Sequence, residues 1–185
     1  MKKYVLLVII ITIFFSCKEI KKETKIIEVE KVKTQTKDWV TLFDGNSLDH
    51  WQAYLGGDIS KHWSIREDEL VFTPPTAEER KADDNAKQKT FNIVTKENYS
   101  SFILSLEWKI SKGGNSGIFW GVHENIKFNE PYETGLEIQV LDNKNHPDAK
   151  NGNTHRAGAL YDLVPPREDV TKPIGEWNTL SLIHI

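Results

Sequence analysis

Between Ser101 and Ile110 the chain alternates without a break: Phe102, Leu104, Leu106, Trp108 and Ile110 fall on one side, Ser105, Glu107 and Lys109 on the other. Successive side chains of a strand point to opposite faces, so this pattern describes an extended segment with one face for a core and one turned away from it. Gly135 to Leu141 repeats the pattern, with Leu136, Ile138 and Val140 on one face and Glu137 and Gln139 on the other. Two such segments in a chain without a convincing long helix commit it to sheets.

Other strands are expected around these two. Trp39 to Phe43 is read as a strand stopped by Asp44-Gly45-Asn46, and Trp63 to Arg66 with Leu70 to Thr73 as a hairpin about an acidic turn. Gly117 to His123 follows the turn Lys112-Gly113-Gly114-Asn115, Ala157 to Tyr161 is short, and Trp177 to Ile185 closes the chain. Residues 74–90 are Pro-led and charged, which predicts a surface excursion with a little helix at Ala77 to Ala82. Many short strands separated by turn residues predict an all-β sandwich of jelly-roll type. The last strand is still apolar where the chain stops, and a bare apolar edge invites aggregation, so further strands are expected beyond Ile185 to complete the sandwich. Six Trp, five Tyr and eight Phe suit either a sheet-rich fold or a sugar-binding surface and do not separate the two.

The amino end carries a different signal. Lys2 and Lys3 precede an apolar run from Val5 to Phe15 that is short for a membrane span, and Ser16 stands before Cys17, the only cysteine. This is the layout of a secretory leader over residues 1–16, and the FFSC segment at 14–17 is similar to a relaxed lipobox, which would make Cys17 the lipidated first residue of an exported protein. Residues 17–37 then form a charged, non-aromatic tether from the membrane, and residues 38–185 form the folded domain. The expected location is the cell envelope, at its periplasmic face or at the cell surface. The lysines of leader and tether carry five net positive charges, so the formal −3 of the whole chain becomes −8 for the domain. An acidic domain is a poor partner for phosphate backbones, and nucleic acid is excluded as the expected ligand.

Five separated phrases, in order, resemble one family: TLFDGNSLDHW at 41–51, WSIREDELVF at 63–72, FILSLEWKISKGGNSGIFW at 102–120, TGLEIQVLD at 134–142 and GEWNTLSL at 175–182. They are similar to the 3-keto-disaccharide hydrolase domain of bacterial envelope proteins. That resemblance implies a concanavalin-like or jelly-roll sandwich acting on glycosides oxidised to a ketone at carbon 3. It also implies a carbohydrate as partner, and a chain that continues for several strands past the Trp-Asn motif. A ketone at carbon 3 acidifies the proton on carbon 2, so a base can remove it, the anomeric substituent can leave, and water addition then gives net hydrolysis.

The chemistry needs carboxyl, amide and donor groups in one hollow. Glu107 and Glu137 are the candidate acid and base, and Gln139 a substrate contact, if their two strands share a sheet whose polar face is concave. Otherwise all three are solvated residues of an exposed face. Asn115 and Ser116 follow two glycines in a predicted tight turn and are candidate contacts at the cleft rim. Asp142 closes the family motif and joins the substrate-binding set. Its loop, DNKNHPDAKNGN, offers oxygen ligands for calcium but lacks the spacing and glycine of an EF-hand, so no metal or cofactor is expected. His155 and Arg156 are candidate catalytic groups able to stabilise an enolate, and Tyr161 is a candidate substrate-binding donor. The competing functions are a non-catalytic, lectin-like carbohydrate-binding module of the envelope and a lipid-anchored adhesion domain. Oligomeric state is left open by the sequence.

Overall fold

The computed structural model describes residues 39–83 and 91–185. The leader, Cys17 and the whole of the tether lie outside the described residues. Residues 40–185 form one compact unit. Its order is β1 (Trp51–Ala53), β2 (Trp63–Arg66), β3 (Glu69–Phe72), α1 (Ala77–Asp83), β4 (Ile93–Thr95), β5 (Phe102–Trp108), β6 (Asn115–Trp120), β7 (Leu136–Leu141) and β8 (Asn178–His184). The strands pair antiparallel as β1 with β4, β2 with β3, β5 with β8 and β6 with β7. The unit is all-β, as the alternation predicts. Among the described residues no helix is long and apolar enough to cross a membrane.

The β2–β3 hairpin forms where expected. Its turn residues Glu67 and Asp68 both adopt left-handed backbone, φ 51° and 61°, which matches the twist of a two-residue hairpin. Gly45 sits against this turn: its φ is +84° and a Cβ there would lie 3.1 Å from the Asp68 Cβ, so glycine answers both the backbone and the close approach. The short α1 also lies where the sequence places it.

The segment Trp39 to Phe43 is not a strand, correcting the sequence reading. The Leu42 carbonyl accepts from the Trp51 indole at 2.7 Å instead of joining a ladder, and Asp44 Oδ1 takes the N–H groups of Asn46 and Ser47. The three-residue strands β1 and β4, too short to show a period, bring Tyr54 into the core with no exposure and its hydroxyl on the Phe128 carbonyl at 3.2 Å.

In β5, Phe102, Leu104, Leu106 and Trp108 are half-buried while Ile103, Ser105 and Glu107 are exposed, matching the alternation. Trp108 packs against buried Leu141, Ala149 and Ala157, which ties β5 to the end of β7 and to the loop after it. Truncating a fully buried leucine such as Leu141 costs about 2–5 kcal/mol, so this contact anchors the position of β7.

On β7 both faces are covered toward the end of the strand, so Val140 is buried as expected, at 4% exposure, but the polar side is buried as well. Leu136 is 44% exposed, whereas Gln139 is 2% exposed and Glu137 is half-buried. The polar face is covered because the chain returns after β7: two 3-10 turns, Pro147–Asn151 and Asn153–His155, lead into a segment that pairs with the free edge of β7. Gln139 N–H donates to the Ala159 carbonyl at 3.0 Å, Gly158 N–H to Gln139 at 2.8 Å and Tyr161 N–H to Glu137 at 2.9 Å. The predicted strand Ala157 to Tyr161 is thus realised as edge pairing, with Leu160 bridging Ile138.

Candidate active site

The edge pairing sets the site. Because Tyr161 bonds through its backbone to Glu137, the two residues lie side by side at the edge of β7. The Tyr161 hydroxyl donates to Asp148 Oδ2 at 3.1 Å. Asp148 Oδ1 accepts from the Asn151 amide at 2.8 Å and lies 3.1 Å from His155 Nδ1. The other ring nitrogen of His155 is 3.3 Å from Asp162 Oδ1, and the His155 ring meets Tyr161 edge to face with centroids 4.7 Å apart.

The electrostatics single out Glu137. Burial, and then the negative charge of Asp148, push its carboxyl up to about 7. Asp148 goes the other way. Its partial burial raises it, but the hydrogen bonds from Asn151 and Tyr161 and the charge and hydrogen bond of His155 hold it below the usual carboxylate range. Tyr161 is raised by burial first, then by Asp148, Glu137 and Asp162. The cluster therefore contains one carboxyl that exchanges a proton near neutral pH beside one that stays ionised, a division suited to acid–base work.

Of the residues named from sequence, Glu137, His155 and Tyr161 come together here. Glu107 does not. It lies on the β5–β8 sheet opposite Thr179, exposed, so the expectation that it shares a sheet with Glu137 is corrected. Gln139 faces the same way as Glu137 but is fully buried, with its Oε1 on the Val140 N–H at 2.9 Å, and it does not reach solvent. Asn115 and Ser116 open β6 instead of forming a turn, and they lie on opposite faces, across from Leu141 and Val140.

Asp142 is 4% exposed and acts as a loop clamp. It accepts Gly113 N–H at 2.7 Å, Lys144 N–H at 3.1 Å, Asn145 N–H at 3.2 Å and the Asn145 amide at 2.7 Å. Burial raises its pKa, yet these bonds outweigh that and hold it below the usual range. Both Asp142 oxygens are engaged in these bonds, and among the described residues no three His, Cys, Asp or Glu side chains gather as metal ligands.

Arg156 turns away from His155 into a neighbouring cleft of about 570 Å3, lined by Trp108, Leu141, Asp142, Asp169 and Lys172 among others. Its Nε is buried without a hydrogen-bond partner. Glu137 does not line this cleft. Asp148, Asn151 and Asp162 escaped the sequence reading because they lie in an irregular loop that carries no period.

A family model described as the 3-keto-alpha-glucoside-1,2-lyase-like domain matches residues 38–184. The chain belongs to this family. A curated member from Bacteroides thetaiotaomicron, called 3-keto-disaccharide hydrolase, is 34% identical over 155 residues, covering 78% of this chain and 52% of that protein. A crystal structure of a candidate glycosyl hydrolase from Parabacteroides distasonis superimposes with a TM-score of 0.65 at 30% identity, covering 78% of this chain and 62% of the other. A second from the same organism gives 0.53 at 26% identity, covering 78% and 51%. The chain thus spans about half to three fifths of the length of these relatives. Glu137, Gln139 and Asp142 all fall within the span that the family model matches, as do Asp148, His155 and Tyr161.

Proposed function

We propose that the chain cleaves 3-keto-glycosides by proton abstraction, with Glu137 as the group that moves the proton. The observation that carries this reading is the half-buried Glu137 carboxyl, poised near neutral pH beside the ionised Asp148. Ionised Glu137 takes the proton from carbon 2 of the 3-keto ring. The electron pair of that C–H bond passes to the carbon 3 oxygen as an enolate, which collapses to a C1=C2 double bond as the C1–O bond breaks, and the leaving oxygen takes its proton from a water molecule. The hydroxide so formed adds at carbon 1, and protonated Glu137 returns its proton to carbon 2, giving net hydrolysis. In this reading His155 and Tyr161 hold the Asp148 carboxylate in place beside Glu137, since the Tyr161 hydroxyl hydrogen is given to Asp148 and His155 bonds to its other oxygen. Family membership and the curated relative's name support the substrate class.

The test compares a 3-keto-disaccharide with its unoxidised parent, following sugar release by NMR. Cleavage of the ketone alone is expected. Equal cleavage of both, or none by the folded protein, contradicts the proposal. The same reading includes export and anchoring through Cys17, supported by the leader pattern. Radiolabelled palmitate should enter the full chain but not a Cys17→Ala variant.

A further inference from the structure

Gly117 lies in the middle of β6, paired with Gln139, while Glu137 pairs with Phe119. Directly opposite residues of an antiparallel pair share a face, so Gly117, Phe119, Gln139 and Glu137 all project to the same side. The Glu137 side chain does not stand over its own partner. It leans diagonally across the ladder and lies on the bare backbone of Gly117. A Cβ built at 117 would come 2.7 Å from the Glu137 Cδ and 2.8 Å from its Cγ, and closer still to Oε1. Real Cβ atoms do not approach so near, so any residue other than glycine displaces the carboxyl.

Other reasons for a glycine are absent at this position. Its backbone is not among the glycines with positive φ, so no left-handed conformation demands it. Glycine in a strand interior costs stability through backbone entropy and lost packing. At Gly114 and Gly135 an added Cβ would instead meet the Ile110 side chain and the Val122 side chain, and at Gly121 it would meet nothing. Gly117 is the described strand glycine whose missing side chain is replaced by a carboxyl.

We propose that Gly117 is the positioning residue for the proton-transferring carboxyl, a bare seat on β6 that fixes where Glu137 points and shields one side of it from water. This rests on the reading of Glu137 as the reacting group. Shielding accounts for burial being the leading cause of the raised Glu137 carboxyl, since a carboxyl laid on backbone loses solvent on that side.

The experiment is a 13C NMR titration of the Glu137 side-chain carboxyl in the full chain, without substrate, alongside kinetics with a 3-keto-disaccharide. Wild type and Gly117→Ala are compared, with Gly117→Ala/Glu137→Asp as the compensating variant, because the shorter acid leaves room for the new methyl. The Gly117→Ala midpoint should fall from about 7 toward the ordinary carboxylate range, with kcat lowered about 10- to 100-fold and KM nearly unchanged. The double variant should recover at least part of the raised midpoint.

An unchanged midpoint and unchanged kcat in folded Gly117→Ala overturn the proposal. If Gly117→Ala does not fold, the double variant decides: a raised midpoint in it supports the seat, and an ordinary one overturns it. A wild-type midpoint near 7 that falls in Gly117→Ala, with no turnover of any 3-keto-glycoside by either protein, keeps the seat and removes the proposed reaction instead.

Discussion

Tyr161 donates its hydroxyl to Asp148 Oδ2 across 3.1 Å, and through that one bond a residue paired to β7 is fixed to the 3-10 turn that covers the strand. The bond serves both sides. It lowers the cost of keeping Asp148 ionised, and it holds the Tyr161 ring in its T-shaped contact with His155. Tyr161→Phe should destabilise the fold by about 0.5–1.5 kcal/mol, the usual net worth of such a bond. It should slow cleavage about tenfold or more, as for loss of one proton donor or positioning group. Thermal melts and steady-state kinetics of the same preparation check both numbers.

Asp148→Asn removes the charge that helps hold Glu137 up. The Glu137 midpoint should move down from about 7, and the pH at which cleavage reaches half its plateau should move down with it. A pH–rate profile of the variant against wild type reads this directly. His155 also loses one of its two carboxylate partners, so the plateau itself should drop about 10- to 100-fold.

Glu137→Gln should remove nearly all activity, by about two to four orders of magnitude. Its effect on stability has a definite sign. The folded chain holds the Glu137 proton up to about pH 7, while the unfolded chain releases it near 4.5. Between those values the native state binds more protons, so wild-type stability falls as pH rises through that window. The amide has no proton to lose. Glu137→Gln should therefore match wild type near pH 4.5 and exceed it above pH 7, by about 1–2 kcal/mol once solvent screening of a half-buried group is allowed for. Urea unfolding at the two pH values measures the difference.

Glu107→Gln is expected to change the rate less than about twofold, because Glu107 is exposed on the β5–β8 sheet, away from the cluster. Asp142→Ala should act on stability instead. It strands four donors of the loop and costs about 1–3 kcal/mol, seen as a lower midpoint in urea.

What the sequence disclosed follows from the range of the forces involved. The β2–β3 hairpin and β5 were legible because a two-residue turn and a period of two are local properties. Three-residue strands such as β1 and β4 carry no period and were invisible. The polar face of β7 was misread for a different reason. Alternation shows which residues share a side, and Val140 is buried as expected, but the returning 147–161 segment pairs along the strand and Gln139 on the other side is buried too. The same return explains the site. Glu137 and Tyr161 were legible as polar residues of strand-like segments, whereas Asp148 is joined to them only through tertiary contacts. Gly117 was read only as the start of a strand, since its role depends on a carboxyl twenty residues away.

The pH dependence of kcat/KM for a 3-keto-disaccharide, measured from about pH 5 to pH 9, tests the central claim most directly. The account predicts an ionisation near 7 in the wild-type profile, with activity rising as Glu137 loses its proton, and loss of both rate and ionisation in Glu137→Gln. A flat wild-type profile across that range, or a Glu137→Gln variant as fast as wild type, would contradict it.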